Sequence, residues 1–117
     1  MNQETVPKVT SFQKKVYEAC SRIPKGKVVS YGVLANEIQC KSPRAVGQAL
    51  RVNPFAPEVP CHRVVKTDRT LGGFYGHKKG PEVTRKRKLL EGEGVGFEAS
   101  GKVSDASCWE FTLALAK

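Results

Sequence analysis

Residues 30–54 read SYGVLANEIQCKSPRAVGQALRVNP, and two helix starts lie inside this stretch. Ser30 precedes an apolar-periodic run, where its hydroxyl can accept from the unpaired N–H groups of a first helical turn. The run YGVLANEIQ then places Leu34, Ala35 and Ile38 on one face. Ser42 repeats the capping signal, and Pro43 follows at the first helical position, where a missing N–H does no harm. Ala45, Val46, Ala49 and Leu50 supply the apolar side of this second helix, and Asn53-Pro54 ends it. Two short helices joined by a tight turn, the second opening on Arg44, fit a helix-turn-helix. Many small domains contain such a pair, so the pattern narrows the fold without assigning a function.

Upstream, TSFQKKVYEACSRI offers Thr10 or Ser11 as a cap. Phe12, Val16, Ala19 or Cys20, and Ile23 follow at helical spacing, so Cys20 reads as core. PKGKVVS is a turn into a short strand. Downstream, residues 59–65 read as extended, KTDRT as a polar turn, and LGGFYG as a return strand or a loop. A further helix starts at Pro81 with Val83, Leu89 and Leu90 inward, and Arg85, Lys86, Arg87 and Lys88 on a solvated outer face. The end of the chain is expected to begin strand-like and to pack Trp109, Phe111 and Leu113 on the core. The fold expected is mainly α with a short strand or hairpin element. It is one small domain with a winged-helix-like helix-turn-helix core, residues 1–10 forming a flexible tail and 11–117 the domain.

At 117 residues the chain can bury a core without disulfide staples. Twenty Lys and Arg against eleven Asp and Glu give a net charge of +9. That bias favours a polyanionic partner, nucleic acid first and an acidic membrane surface second. No apolar run is long enough to span a bilayer, and MNQETVPKVT is too polar for a signal peptide. An intracellular protein is expected, nuclear in a eukaryote and cytoplasmic in a prokaryote. Cys20, Cys40, Cys61 and Cys108 lie far apart with no CxxC pair, so free thiols are expected. His62 and His77 do not fall at finger-like offsets from any cysteine pair, and no metal site is expected.

EVPCHRVV, residues 58–65, sets a thiol, an imidazole and a guanidinium side by side. One reading is a half-buried strand with a structural Cys61, because free cysteine is among the most buried residue types. The other is a nucleophile, which must be a thiolate and therefore needs a base or a positive charge nearby. Neighbours in an extended strand point to opposite faces. His62 can therefore serve Cys61 only across a bend after Pro60 or through a bridging water. His62 would in turn need a carboxylate to fix its tautomer, and Glu58, Glu82, Glu91 and Glu93 are all candidates. Arg63 reads better as a structural ion-pair partner than as a second activating charge.

Four blocks carry a resemblance: IPKGKVVSYG (23–32), RAVGQALRVNP (44–54), PCHRV (60–64) and LLEGEGV (89–95). In this order and spacing they resemble the O6-alkylguanine-DNA alkyltransferases, over the C-terminal active-site domain of that family. The resemblance implies a helix-turn-helix that binds the minor groove of duplex DNA and rotates an alkylated guanine out of the stack. A cysteine thiolate then accepts the alkyl group from O6-alkylguanine, and from O4-alkylthymine, once per molecule and without a cofactor. By position it implies Cys61 as acceptor, His62 as base through a water, and Glu93 as the carboxylate orienting His62. Tyr31 would support base rotation and donate to the guanine ring, Arg44 would fill the vacated place in the stack, and Asn53 would be a hinge. DNA contact extends to Ala45, Gly47, Gln48 and Arg51, and the base pocket to Pro60, Val64, Gly72, Phe74 and Tyr75. The Val64 carbonyl would accept from the guanine amino group. Each residue also has a plainer reading: Tyr31 a core aromatic, Arg44 a phosphate contact, Asn53 a helix stop, Gly47 a close helix approach.

The resemblance has departures. The N-terminal domain preceding this core in most members is expected to be missing, and GGFYGHKKGP diverges after Gly76 and looks longer than the family's loop. Both features resemble the alkyltransferase-like proteins, which bind such lesions without repairing them and hand them to nucleotide excision repair. Those relatives have tryptophan or alanine at the cysteine position, whereas this chain has Cys61. The transferase reading therefore leads, with a monomer acting on double-stranded DNA. A helix-turn-helix regulator with a structural Cys61 is a third reading, but no dimerisation element is found in the sequence.

Overall fold

Each of the first three helices begins at the residue its sequence marks. The computed structural model describes residues 8–56, 58–71 and 81–111. Helix α1, Ser11–Ser21, opens on a capping box: the Thr10 hydroxyl accepts from the Gln13 N–H while the Gln13 side chain accepts from the Thr10 N–H. Ser30 caps α2, Tyr31–Glu37, by accepting from Val33, and Ser42 caps α3, Pro43–Arg51, by accepting from Ala45. Helix α2 stops two residues before the quoted run ends, because Gln39 turns left-handed (φ 58°) to aim the chain into α3. The two helices pack on α1 as the predicted helix-turn-helix. The Tyr17 hydroxyl of α1 donates 2.7 Å to the Ala49 carbonyl of α3 inside that contact.

The strand element is a parallel pair. Strand β1, Val29–Ser30, lies beside β2, Val64–Val65, in the register Val29 to Val64 and Ser30 to Val65. Neighbouring strand residues face opposite sides, so this short pair divides two cores. Val29 and Val64 face the larger one with Val16, Cys20, Leu34, Val46, Leu50 and Cys61. Val28 and Val65 face a smaller one with Leu90, Val95 and Val103. Residues 59–65 are not extended throughout, as the sequence suggested. Cys61–Arg63 forms one 3-10 turn, with Arg63 N–H donating 2.9 Å to the Pro60 carbonyl. Alternation would have put either Cys61 or His62 outside, whereas the turn buries both.

Helix α4, Pro81–Gly92, also departs from its expected orientation. Lys86 is 1% exposed and Leu90 fully buried, while Leu89 is 38% exposed. The inward stripe is Lys86 with Leu90, one turn apart, and Leu89 points away. After α4, a bridge from Phe97 to Val103 and another from Val28 to Cys108 fold the following segment against β1. Trp109 and Phe111 meet edge to face at 4.9 Å, and Phe111 is buried. Leu113, the LGGFYG return from residue 72 onward and residues 1–7 lie outside the described residues. Among the described residues no helix is long and apolar enough to cross a membrane.

Replacing Tyr17 with Phe leaves the buried Ala49 carbonyl without its donor. Urea unfolding of Tyr17→Phe should show a loss of about 1 kcal/mol, with the circular-dichroism spectrum of the folded protein unchanged.

Candidate active site

Asn53 stands where α3 meets the segment leading to the cysteine. Its side-chain amide donates 2.9 Å to the Val59 carbonyl, and its Oδ1 accepts from the Phe55 N–H at 2.9 Å. It is 6% exposed, so both bonds are sheltered from water. This bond joins positions six apart and delivers Pro60, itself buried, to the start of the 3-10 turn. Cys61 and His62 then follow at 6% and 3% exposure.

Glu93 reaches this turn from the end of α4. His62 Nε2 lies 2.9 Å from Glu93 Oε2. Arg63 grips the same carboxylate with both arms of its fork, Nε to Oε1 and Nη2 to Oε2, each at 2.9 Å. Its remaining Nη1 donates 2.8 Å to the Ile23 carbonyl after α1. Gly26 adopts φ 88° in the turn that follows, and a Cβ there would stand 3.0 Å from the Glu93 carbonyl oxygen. Of the carboxylates open in the sequence, Glu93 is hydrogen-bonded to His62 and the Glu82 side chain lies outside the described residues, and Arg63 has the structural role expected of it.

Burial pushes the Cys61 thiol up, while the Asn53 side chain and the Lys86 charge pull the other way. Burial holds His62 below its ordinary value despite the Glu93 hydrogen bond, so its imidazole is neutral at pH 7. Burial also works against an ionised Glu93, but the Arg63 and His62 hydrogen bonds outweigh it and keep the carboxyl below its ordinary range. At neutral pH the turn therefore holds a protonated thiol, a neutral base and a carboxylate. Burial, with Cys61 and Cys20 nearby, raises Tyr31 to about 12, so its phenol stays protonated and can donate.

Lys86 is the residue that the sequence misplaced. Its ammonium donates 2.8 Å to the Val64 carbonyl and 2.7 Å to the Leu71 carbonyl, and lies 6.0 Å from the Tyr31 ring centroid. Burial lowers it to about 8, with Cys61 and Cys20 opposing. Val64 is buried, and its carbonyl oxygen, which can accept two hydrogen bonds, accepts one from Lys86.

In front of α3 lies an open cleft of about 790 Å³. Tyr31, Arg44, Gly47, Gln48 and Arg51 line one side, and Lys66, Thr67 and Asp68 line the other. Five of the residues singled out for DNA contact thus share one surface, while Ala45 is half-buried on α3 outside its lining. A methyl on Gly47 would meet the Tyr31 ring at 3.8 Å, an ordinary contact, so helix packing does not demand glycine there. Gly72, Phe74 and Tyr75 lie outside the described residues. Among the described residues no group of His, Cys, Asp and Glu is placed to hold a metal ion.

Fold and site together define a helix-turn-helix domain carrying a buried cysteine on the same turn as a hydrogen-bonded histidine–glutamate–arginine network. Residues 11–95 match the family described as 6-O-methylguanine DNA methyltransferase, DNA binding domain. A methylated-DNA–protein-cysteine methyltransferase of Sulfolobus acidocaldarius is 44% identical over 78% of this chain and 54% of its own. OGT of Mycobacterium tuberculosis in complex with DNA superposes with a TM-score of 0.62 at 40% identity, over 74% of this chain and 52% of that one. Atl1 of S. pombe, in complex with damaged DNA containing O6-carboxymethylguanine, gives 0.72 at 29% identity, over 89% of this chain and 99% of that one. The chain belongs to the 6-O-methylguanine DNA methyltransferase family. It spans about half the length of the curated relatives it matches.

Both acid–base groups should leave a mark on stability. The folded His62 value lies below 6.5, so the unfolded chain takes up that proton first and stability falls as pH drops below about 6.5. The folded Glu93 value lies below 4.5, so its contribution is present above about 4.5 and is lost as pH falls through the folded value. Unfolding free energy measured from pH 8 to 3 should therefore decline in two stages. His62→Gln should flatten the upper stage and Glu93→Gln the lower.

Proposed function

We propose that this chain repairs O6-alkylguanine, and O4-alkylthymine, in duplex DNA by moving the alkyl group irreversibly to its own Cys61. The observation that carries this reading is the hydrogen-bonded series from His62 to Glu93 and Arg63, on a turn that Asn53 ties to the second helix of the helix-turn-helix. Helix α3 enters the minor groove, and the cleft side chains hold the duplex. Arg44 is exposed at the start of α3, where its planar guanidinium can stack in the place of the extruded base. The Val64 carbonyl accepts from the guanine amino group with its second lone pair.

The chemistry then needs one proton moved each way. His62 is neutral and takes the Cys61 proton through a water, and Glu93 stabilises the imidazolium formed. The sulfur attacks the alkyl carbon, the S–C bond forms, and the C–O6 bond breaks with its electron pair passing to the guanine. The Tyr31 phenol, protonated at neutral pH, donates a hydrogen bond to the guanine ring as negative charge develops there. The proton taken up by His62 neutralises the released guanine through water, restoring the neutral imidazole. No cofactor enters, because the alkyl carbon passes directly to sulfur. The thioether cannot be turned over, so each monomer acts once.

One observation favours a second reading. Atl1 in complex with damaged DNA superposes with a TM-score of 0.72 over 89% of this chain, against 0.62 over 74% for OGT in complex with DNA. A protein of that kind would hold the lesion without transfer and present it to nucleotide excision repair. Cys61 favours transfer over this reading.

Incubation with excess duplex containing O6-methylguanine should raise the intact mass by one methylene, mapped to Cys61. Cys61→Ala should abolish the shift and keep lesion binding. An unmodified thiol with lesion binding intact would select the sensor, and equal affinity for damaged and plain duplex would remove both readings. Arg44→Ala should weaken lesion binding by about tenfold or more, and wild-type affinity should fall steeply with salt.

A further inference from the structure

Arg69 adopts φ 73°, in the left-handed region that side-chain-bearing residues seldom occupy. Its side chain is tied down on the far side of the turn from the cleft. Nη1 donates 2.7 Å to Glu98 and 2.9 Å to the Val103 carbonyl, with Asp105 at 3.9 Å. Its own carbonyl accepts from the Val103 N–H at 2.9 Å. Arg69 belongs to the tight turn of residues 66–70, closed by Lys66 N–H to the Thr70 carbonyl and Arg69 N–H to the Lys66 carbonyl. Asp68 Oδ1 adds two bonds to Thr70. Lys66, Thr67 and Asp68 of this turn form the cleft wall facing α3.

The segment on which Arg69 is anchored is itself well fixed. Val103 is fully buried in the smaller core, Arg87 stacks on Phe97 at 4.4 Å, and Val28 exchanges backbone bonds with Ser107 and Trp109. This segment lies beyond residue 95, where the family match ends. We propose that residues 96–109 brace the cleft wall against α3, and that Arg69 is the positioning residue through which the brace acts on DNA binding. The inference rests on the cleft being the DNA-binding surface. Arg69 points its charge at Glu98 and not into the cleft lining, so its effect is to hold Lys66 and Thr67 at a fixed distance from Arg44 and Arg51.

The test separates bracing from charge by its sign. Glu98→Ala removes a negative charge, which by electrostatics alone would tighten DNA binding by this basic chain. Loss of the brace predicts the opposite: affinity for an O6-methylguanine duplex about three- to tenfold weaker, with an unchanged slope against salt. Arg69→Gly should weaken binding similarly and speed amide exchange at Lys66 and Val103, and Arg69→Lys should be intermediate because lysine lacks the fork. Should Arg69→Gly fail to fold, Glu98→Ala alone decides the matter. Binding by Glu98→Ala as tight as wild type, or tighter, overturns the brace. Arg44→Ala measured in parallel distinguishes the two failures. If it weakens binding while Glu98→Ala does not, the brace alone is wrong; if neither does, the cleft is not the DNA surface.

Discussion

The Glu93 carboxylate is the point on which the site depends. It is held by three hydrogen bonds, two from Arg63 and one from His62, and these join a turn in mid-chain to the end of α4. Removing a carboxylate from water is costly unless its oxygens are all engaged. Here the guanidinium fork meets most of that need, which leaves the His62 bond free to set the imidazole. Arg63 therefore acts on His62 through the carboxylate they share. It keeps Glu93 ionised, and an ionised Glu93 fixes which His62 nitrogen faces away from it, toward the rest of the site.

A second cation completes the arrangement. Lys86 brings its charge near Cys61 and Tyr31 while its ammonium donates to two main-chain carbonyls. Cys61 is thus a buried thiol whose ionisation is opposed by burial and eased by polar neighbours on two sides, Asn53 and Lys86. Such a thiol is quiet until a base acts on it. That would suit the alkyl acceptor proposed above, which must ignore ordinary electrophiles in solution.

Local signals in the sequence marked the elements well. Thr10, Ser30 and Ser42 each accept the hydrogen bond that their position implied, because a cap is decided within four residues. The bond between His62 and Glu93 was legible only through the family resemblance. Four carboxylates were equally plausible from composition, and the choice depends on a contact spanning 31 positions. Lys86 was misread because RKRK looks like a solvated face. Its spacing from Val83 and Leu90 places it on the apolar stripe, and that periodicity was the signal available to find it. The 3-10 turn at Cys61 was hidden for a different reason: a short PCHRVV run is compatible with a strand, and only tertiary burial of both side chains bends it.

Gly26 shows how far the site extends beyond its reactive groups. The turn after α1 has no chemistry of its own, yet its backbone lies against Glu93 and its Ile23 carbonyl receives Arg63. Any side chain at position 26 would meet both a disfavoured backbone conformation and the Glu93 main chain. A substitution in that surface turn would therefore reach the His62–Glu93 pair through the backbone, and the pair could be displaced while every one of its own side chains stayed in the sequence.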